Sequence, residues 1–259
     1  MIHRNCWLAV FVFFAAPAHG ALKTAELEYR HGSTALQGYF AYDDAFSGKR
    51  PAVFVVHEWY GHGPYARRRA DMLAALGYLA FAGDMYGKGV YAKSHAEAGK
   101  LAGAVRGDRK LKRERAAAGM EAMSRHALAD PARLAAIGYC FGGTTVLELA
   151  RSGAAIQGVA SFHGALDTPN PERTMDLKAK VLVLHGADDA HVNPAVPGFQ
   201  EEMRRAKADW RMISYGGAVH SFTVPEAGDD PAKGAAYNQA ADKRSWRALK
   251  DFLEEIFRP

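Results

Sequence analysis

Cysteine is scarce in this sequence, because its 259 residues contain only Cys6 and Cys140. Cys6 lies in an apolar N-terminal block that we predict is removed as a signal peptide. The mature chain would then carry Cys140 alone, which excludes a disulfide within one molecule. A lone thiol in an oxidising compartment is a liability unless it is buried or used, so the residues around Cys140 decide its role.

The N-terminal segment lacks an apolar run long enough for a membrane-spanning helix. It begins with the short basic stretch MIHRN, continues with the apolar WLAVFVFFAA and ends with the small residues of PAHGA. This order is typical of a signal peptide, cleaved after Gly20 or, alternatively, after Ala18. We therefore predict that residues 1–20 are a signal peptide and that residues 21–259 form a domain exported to a bacterial periplasm, without stable membrane association.

The sequence also lacks internal repeats, low-complexity linkers and a large charge excess. Its formal net charge of +5 falls by one, to +4, when Arg4 leaves with the signal peptide. The densest basic stretch, RGDRKLKRER at 106–115, is interrupted by Asp108 and Glu114. We interpret it as a solvated helix face and predict one domain that binds no nucleic acid.

A glutamate and two histidines follow an apolar run in AVFVVHEWYGHG, residues 52–63. The helical zinc signature needs its histidines four residues apart, whereas His57 and His62 would lie about 140° apart on a helix. The glycines and the proline that follow also oppose a helix here. We predict instead a β-strand, a Gly-rich turn and a helix from about Pro64 to Leu76, with Glu58 at the end of the strand.

Cys140 lies in the segment ARLAAIGYCFGGTTVLELARSG, residues 132–153, which predicts a strand, a sharp turn and an amphipathic helix. The same layout with serine is the nucleophile elbow of α/β-hydrolases, a strained turn that lifts the nucleophile above the sheet. Glycines at 138, 142 and 143 suit such a turn, and the helix N-terminus favours a thiolate. The alternative is a small buried cysteine packed between strand and helix.

A thiol nucleophile needs a base and a group that orients the base. In the hydrolase layout both follow the nucleophile, with the acid first and the histidine second. The predicted strand in AKVLVLHGADDAHVNP, residues 179–194, leads to Asp188 and Asp189. We predict Asp189 as the acid because of its spacing to Val192, and Asp188 as the alternative, which is more typical of a turn residue.

Four histidines compete for the role of the base. His163 and His185 end predicted strands and His191 lies in a loop, where each has a simpler interpretation as a partner of nearby backbone. His220 lies in the loop of WRMISYGGAVHSF, residues 210–222, after both the nucleophile and the acid. This order favours His220 as the base.

Five segments together resemble the dienelactone hydrolase family, a branch of the α/β-hydrolase fold that uses a cysteine nucleophile. The resemblance runs from about Val53 to the C-terminus. It implies an α/β fold with a mostly parallel central sheet of about seven or eight strands and helices on both faces. It also implies hydrolysis of a small ester or lactone without a metal or organic cofactor. The segments are HEWYG, GYLAFAGDMYGKG, GYCFGG, GADDAHV and GAVHSF.

Carried over position by position, the resemblance implies Cys140 as the nucleophile, His220 as the base and Asp189 as its orienting partner. Glu58 matches the family's glutamate, which contacts the thiol and helps control its ionisation. The backbone N–H groups of Trp59 and Phe141 would form the oxyanion hole. We further hypothesise that a thiol kept neutral until substrate binds is protected from oxidation.

The resemblance leaves the substrate open. Family members that hydrolyse dienelactone hold its carboxylate with arginines, one of them shortly after the histidine, whereas SFTV follows His220 here. Lys88 or an arginine from 67–69 is a candidate replacement. We expect an apolar ester, thioester or lactone as readily as an acidic one. The predicted substrate pocket consists of Tyr60, Tyr86, Lys88, His163 and Phe222, next to Trp59.

Two other classes of function compete with this prediction. The first is an exported small-molecule binding protein that keeps the pocket but has no catalytic activity, against which the Cys140, Asp189 and His220 set argues. The second is a metal-dependent hydrolase that uses His57, His62 and His163.

Overall fold

The computed structural model of the protein describes residues 20–169 and 177–258. The predicted signal peptide therefore lies outside the described residues, except for Gly20. Among the residues described, no helix combines the length and the apolar character that crossing a membrane requires.

Within residues 20–169 and 177–258, eight strands form one sheet and six α-helices pack against it. The strands are β1 (Leu22–His31), β2 (Thr34–Asp43), β3 (Arg50–Val56), β4 (Leu79–Gly83), β5 (Ala129–Tyr139), β6 (Gly158–Phe162), β7 (Lys180–Gly186) and β8 (Trp210–Tyr215). The helices are α1 (Pro64–Ala74), α2 (His95–Arg106), α3 (Arg109–Ser124), α4 (Phe141–Arg151), α5 (Val196–Arg205) and α6 (Gln239–Phe257).

The sheet has the strand order β1-β2-β4-β3-β5-β6-β7-β8. β2 pairs antiparallel with both β1 and β4, and the remaining strands are parallel. The sequence-based prediction of a mostly parallel sheet of seven or eight strands is therefore confirmed. Parallel strands of this kind are covered on both faces, which explains why β4 and β6 are buried along their whole length.

Helices cover both faces of the sheet, as predicted. α1 and α6 pack on one face with Leu73, Leu249 and Leu253, in a core that includes Phe222. α2 to α5 cover the other face, where Met120 and residues of α4 and α5 pack together. The alternation of strand and helix along the chain brings the carboxyl ends of the parallel strands to one edge of the sheet.

The predicted helix after the Gly-rich turn begins at Pro64, as expected, and ends at Ala74, two residues before the predicted Leu76. The chain then turns through Gly77, whose φ of +91° belongs to the region that favours glycine. The Phe46 ring lies where a Cβ atom at this glycine would meet it at 3.0 Å. Glycine is therefore needed here for conformation and for space.

The interpretation of residues 106–115 as a solvated helix face is only partly correct, because Arg106, Lys110 and Glu114 are exposed whereas Lys112 is buried. α2 ends at Arg106, and α3 begins after Asp108, whose side chain accepts a hydrogen bond from the Leu111 amide at 2.9 Å. Lys112 is fully buried, and its ammonium nitrogen lies 4.8 Å from the centre of the Phe141 ring. Some cationic side chains of α3 therefore face the protein interior, and the sequence pattern alone does not separate them from the cationic side chains that face solvent.

Glu148 of α4 explains part of this difference. Its fully buried carboxylate pairs with Arg109 at 3.5 Å, with Arg113 at 3.1 Å and with Arg151 at 3.2 Å. Arg151 in turn pairs with Glu202 of α5 at 2.7 Å. These ion pairs connect α3, α4 and α5 on one face of the sheet, and a carboxylate at that depth requires such partners.

Candidate active site

The carboxyl ends of five strands bring the predicted functional residues to one edge of the sheet. Glu58 follows β3, Cys140 follows β5, and His163 follows β6. Asp189 follows β7 and His220 follows β8. Because β3, β5, β6, β7 and β8 are neighbours in that order, residues that are far apart in sequence meet above the sheet.

Cys140 occupies a strained turn between β5 and α4. Its φ of 51° and ψ of −111° lie in a region that non-glycine residues rarely adopt. A Cβ atom at Gly142 would collide with the backbone carbonyl of Val56, and one at Gly138 with the carbonyl of Gly142. At Gly143 it would lie 2.7 Å from the Ser161 hydroxyl oxygen. The three glycines thus permit the close approach that holds the turn.

Three of the predicted residues form a continuous chain of contacts. Cys140 Sγ lies 3.0 Å from His220 Nε2, and His220 Nδ1 lies 2.8 Å from Asp189 Oδ2. Cys140 is partly exposed, whereas Asp189 is completely buried. The arrangement gives a thiol a base within reach of its proton and gives the base an orienting carboxylate.

The environment of His220 favours a charged imidazole. Burial alone would lower the pKa of His220, but the charge of Cys140 and hydrogen bonds with Asp189 and Cys140 raise this pKa to about 10. An imidazolium stabilised by the sulfur on one side and by a carboxylate on the other is the partner that a thiolate needs. The site can therefore hold a thiolate–imidazolium pair.

Asp189 is fixed from two sides. Its Oδ1 accepts hydrogen bonds from the amides of His191 at 3.1 Å and Val192 at 3.2 Å. Burial would raise its pKa, yet His220 and these amides lower it, so the carboxylate stays ionised. Asp188, the alternative acid, instead accepts a hydrogen bond from the Gly217 amide at 3.0 Å. The structure thus brings Asp189, and not Asp188, to the imidazole.

Glu58 is a buried carboxyl group in the turn that follows β3. Burial raises the pKa of Glu58 to about 7, against the opposing effect of the Tyr60 and Trp59 amides. Near pH 7 the Glu58 carboxyl group is therefore partly protonated and partly ionised. The hydrogen bond of the Cys140 sulfur in this structure goes to His220, so contact between Glu58 and the thiol stays a prediction.

The two predicted oxyanion-hole amides lie on adjacent elements. Phe141 is the first residue of α4, where backbone N–H groups have no acceptor within the helix. Trp59 belongs to the turn after β3, and the carbonyl groups of Val56, at the end of β3, and of His57 lie against Gly142. The role of these amides stays a prediction, because it depends on where a substrate oxygen binds.

His57 is a structural residue that the sequence did not identify as such. Its Nε2 accepts a hydrogen bond from the Met85 amide at 3.1 Å, so its Nδ1 carries the proton and donates to the Glu58 carbonyl at 2.6 Å. The ring stacks on Phe141 with centroids 5.8 Å apart. His57 thereby connects the turn at Glu58 to the nucleophile elbow.

Two of the predicted pocket residues lie in the interior. His163 and Phe222 are 1% and 0% exposed, and their ring centroids are 5.1 Å apart. The positive φ of Ser221, 58°, turns the chain so that Phe222 points into the core. Both predictions of pocket lining are therefore corrected, because neither side chain presents a surface to a ligand.

His163 instead contacts the backbone of Cys140. Its Nδ1 accepts a hydrogen bond from the Cys140 amide at 3.1 Å, and its Nε2 lies 2.7 Å from the Thr223 hydroxyl. That hydroxyl lies 2.6 Å from the Tyr65 hydroxyl, which accepts a hydrogen bond from Arg69 at 3.2 Å. No short motif in the sequence indicates this buried network, since its members come from four separate segments.

Lys88 is also placed away from the predicted role. Its ammonium group pairs with Glu28 of β1 at 2.7 Å and is half exposed. Tyr86 is buried and donates from its hydroxyl to the Trp59 carbonyl at 2.9 Å, whereas the Tyr60 hydroxyl lies 3.2 Å from His95 Nδ1. Tyr60 and Tyr86 thus border the turn that carries Glu58.

The competing histidines have other partners. His185 Nε2 lies 2.7 Å from the Asn193 side-chain oxygen. His57 and His163, which the metal-dependent alternative requires, use both ring nitrogens in the hydrogen bonds described above. Within residues 20–169 and 177–258, no group of three or more histidine, cysteine, aspartate or glutamate side chains is arranged to hold a metal ion.

The sequence matches the family described as the dienelactone hydrolase family over residues 36–257. The structure is similar to that of a protein described as m3DLH, with 39% identity, a TM-score of 0.88 and coverage of 92% of this chain and 100% of that one. It is also similar to a dienelactone hydrolase-like promiscuous phosphotriesterase, P91, from metagenomic libraries, with 38% identity, a TM-score of 0.87 and coverage of 92% and 100%.

A third similarity is to a protein of Yersinia pestis provisionally named carboxymethylenebutenolidase. The two sequences are 25% identical over 234 residues, which are 85% of this chain and 84% of that protein. The region that matches the family, residues 36–257, contains β3 to β8 and therefore the whole candidate site.

Proposed function

Because the chain belongs to the dienelactone hydrolase family and is therefore a hydrolase of ester or lactone bonds, we propose that it works through an acyl-enzyme on Cys140. The contact chain from Cys140 Sγ through His220 to Asp189, with distances of 3.0 and 2.8 Å, is the observation that supports this most. Acyl transfer through a thiol needs a nucleophile, a base that accepts its proton and a carboxylate that orients the base, which is the role that we propose for each of these three residues.

In the first half of the proposed reaction, the Cys140 sulfur attacks the carbonyl carbon of the ester or lactone. The carbonyl oxygen takes up the electron pair, and the amides of Phe141 and Trp59 stabilise its negative charge. His220 donates a proton to the leaving alcohol oxygen as the carbon–oxygen bond breaks. The products of this half are the free alcohol, or the ring-opened chain of a lactone, and a thioester on Cys140.

In the second half, water attacks the thioester. His220, now neutral, accepts a proton from the water, and the carbon–sulfur bond breaks. Asp189 stabilises the imidazolium in both halves without itself taking the proton. The acid product leaves, and the thiolate–imidazolium pair is restored.

A panel of 4-nitrophenyl esters and simple lactones tests this proposal against a non-catalytic binding protein on the same fold. The proposal predicts hydrolysis that stops after treatment with iodoacetamide, because that reagent alkylates thiolates. A chain that binds these compounds without hydrolysing any of them would be the binding protein.

We propose that Glu58 limits the ionisation of Cys140 when no substrate is bound. Because the pKa of Glu58 is raised to about 7 by burial, the carboxyl is neutral below that pH and negatively charged above it. A negative charge near the sulfur disfavours the thiolate. Glu58→Gln should therefore increase the rate of alkylation by iodoacetamide by about 3- to 10-fold at pH 8, with the two rates converging towards pH 6.

The matched control for this variant is Glu28→Gln. Glu28 is a carboxylate on the surface of β1, paired with Lys88, and its replacement should leave the alkylation rate unchanged. Equal rates for the Glu58→Gln variant and the unmodified protein at every pH from 6 to 9 would disprove the control by Glu58.

We also propose that residues 1–20 direct export of the protein. The basic start, the apolar block and the small residues before Ala21 support this proposal. Sequencing the N-terminus of the protein recovered from a bacterial periplasm tests it. A protein that stays in the cytoplasm with Met1 or Ile2 at its N-terminus would contradict it.

A further inference from the structure

Lys88 and the arginines at 67–69 are predicted from the sequence as candidates to bind a substrate carboxylate. In the structure each of them already contacts a carboxylate of the protein. Lys88 pairs with Glu28 at 2.7 Å, Arg67 with Glu26 at 2.9 Å and Arg68 with Glu226 at 3.3 Å. Each of these pairs is partly exposed to water, so it is individually weak. Even so, a substrate carboxylate would have to displace the carboxylate that each cation already contacts.

Arg69 is even less available. Its guanidinium is 4% exposed and lies 2.6 Å from the Asp242 carboxylate. The rings of Tyr65, Tyr139 and Trp246 surround it, with centroids between 5.2 and 5.6 Å from its central carbon. A cation enclosed in this way supports the fold next to the elbow and cannot reach a substrate.

The turn after β3 carries a negative charge, that of ionised Glu58, and not a cation that could bind a substrate carboxylate. The pKa of Tyr91 is raised by burial and by the charges of Glu58 and Glu226, so both carboxylates act on the same ring. Burial is also the largest cause of the raised pKa of Glu58, with a further contribution from Glu226. The charge of Glu226 is offset by its ion pair with Arg68 at 3.3 Å, so a negatively charged substrate would meet chiefly the charge of ionised Glu58 on this side of the site.

Aromatic side chains surround the same turn. The Tyr60 ring centroid lies 5.6 Å from that of Trp59, 6.2 Å from that of Tyr91 and 5.8 Å from that of His95. The backbone holds them together, because Gly61 and Tyr91 form an antiparallel bridge and the Ala92 amide donates to the Tyr60 carbonyl at 2.8 Å. We call Trp59, Tyr60, Tyr91 and His95 the aromatic wall.

The wall has an open face. Tyr91 is 46% exposed and its neighbour Val90 is 37% exposed, so apolar surface at this position faces solvent. On its inner side the Tyr91 ring fills the space where a side chain at Gly63 would lie. The inner side of the aromatic wall therefore packs against the protein, while its outer side is exposed to solvent. The wall is continuous with the turn that carries Glu58 and Trp59.

We propose that this site is selective for neutral esters and that the aromatic wall binds the apolar or aryl part of the substrate. This inference rests on the proposed function and narrows its substrate class. Flat apolar groups pack well on tyrosine and tryptophan rings. Lys88, Arg67, Arg68 and Arg69 all have carboxylate partners, and Glu58 is negatively charged when ionised, so the site disfavours a substrate that carries its own carboxylate.

Arg106 is a rival cation that the ion pairs described above do not include. Arg106 at the end of α2 is exposed, and its charge acts on Tyr86, whose hydroxyl donates to the Trp59 carbonyl. If Arg106 held a carboxylate, the site would prefer acidic esters. The Arg106→Gln variant separates the two possibilities.

The test compares two esters of equal acyl length, 4-nitrophenyl pentanoate and the 4-nitrophenyl monoester of glutaric acid. We expect kcat/KM to be about 10-fold or more higher for the neutral ester, in the unmodified protein and in Arg106→Gln alike. Tyr91→Ala should raise KM for the neutral ester by about 10-fold with a smaller change in kcat, and Tyr91→Phe should restore it. The control is Phe46→Ala, which removes an equally exposed ring, at 45%, that precedes β3 at the opposite edge of the sheet.

Each outcome has one meaning. Equal or better hydrolysis of the acidic ester overturns the selectivity, and its loss in Arg106→Gln would assign a clamp to that residue. If Tyr91→Ala changes KM for the neutral ester no more than Phe46→Ala does, the aromatic wall does not bind the substrate. Hydrolysis of neither ester, with iodoacetamide without effect on any substrate, would disprove the proposed function itself and the inference with it.

Discussion

Cys140→Ala is expected to reduce kcat/KM for ester hydrolysis by about 10⁴-fold or more, since it removes the atom that forms the acyl-enzyme. His220 and the backbone amides would remain, and groups of this kind alone retain only a small fraction of the activity of an intact set. The measurement is a steady-state assay with a 4-nitrophenyl ester, corrected for spontaneous hydrolysis.

Two comparisons make this result specific to the sulfur. Cys140→Ser retains a nucleophilic oxygen at the same elbow, but its hydroxyl does not ionise as a thiol does, so activity should remain well below that of the unmodified protein. The thermal unfolding midpoint of both variants should stay close to that of the unmodified protein, because Cys140 is partly exposed and creates no large cavity when truncated. Activity that survives in Cys140→Ala would remove the thiol from the mechanism.

Asp189→Asn is expected to lower kcat by about 10³- to 10⁴-fold while it leaves the fold intact. The carboxylate is fully buried and lies 2.8 Å from His220 Nδ1. An amide of the same size can present its NH₂ group to this nitrogen, which would place the imidazole proton on Nε2, next to the sulfur. The base would then be unable to accept the proton of the thiol.

The control for this prediction is the adjacent residue. Asp188→Asn carries the same chemical change one position earlier, where the carboxylate accepts a hydrogen bond from the Gly217 amide. We expect its kcat to stay within about 3-fold of that of the unmodified protein. Equal losses in the two variants would show that Asp189 has no special part in orienting His220.

The loss of the carboxylate also changes the pH dependence. Burial would lower the pKa of His220, and the charges and hydrogen bonds of Cys140 and Asp189 raise it to about 10. Without the negative charge of Asp189, this pKa should fall, so the thiolate–imidazolium pair should persist over a narrower pH range. The pH profile of kcat/KM for ester hydrolysis should then lose its high-pH limb, where the imidazolium is deprotonated, at lower pH in Asp189→Asn than in the unmodified protein.

The sequence correctly predicted the features that depend on neighbouring residues or on the order of segments along the chain. The elbow around Cys140 needs glycines that only a tight turn explains, and the structure shows the backbone that fills the space above them. The order of nucleophile, acid and histidine along the chain also placed Asp189 and His220 at adjacent strand ends. These signals depend on residues that are close in sequence or on the order of the strands.

The sequence could not predict features that depend on contacts between distant segments. Lys112 and Arg113 have the pattern of a solvated helix, and only their placement against Phe141 and Glu148 shows that they face inward. Phe222 follows the base closely and was expected in the pocket. The backbone rotation at Ser221, a φ of 58°, directs it into the core instead, and no residue type in that loop indicates such a turn.

The aromatic wall has a similar origin. Tyr60 was expected near the substrate because it follows Glu58, whereas Tyr91 and His95 come from a segment more than thirty positions later. The bridge between Gly61 and Tyr91 brings the two segments together. The wall is therefore a property of the folded chain, and its contribution to selectivity is visible only in three dimensions.

The most direct test of the acyl-enzyme is the mass of the intact protein during turnover of 4-nitrophenyl trimethylacetate, whose bulky acyl group slows the hydrolysis of a thioester. The account predicts one added trimethylacetyl group per chain, located on Cys140 by peptide mapping and absent from Cys140→Ala. Release of 4-nitrophenol with no adduct on Cys140, or with the acyl group on another side chain, would contradict it.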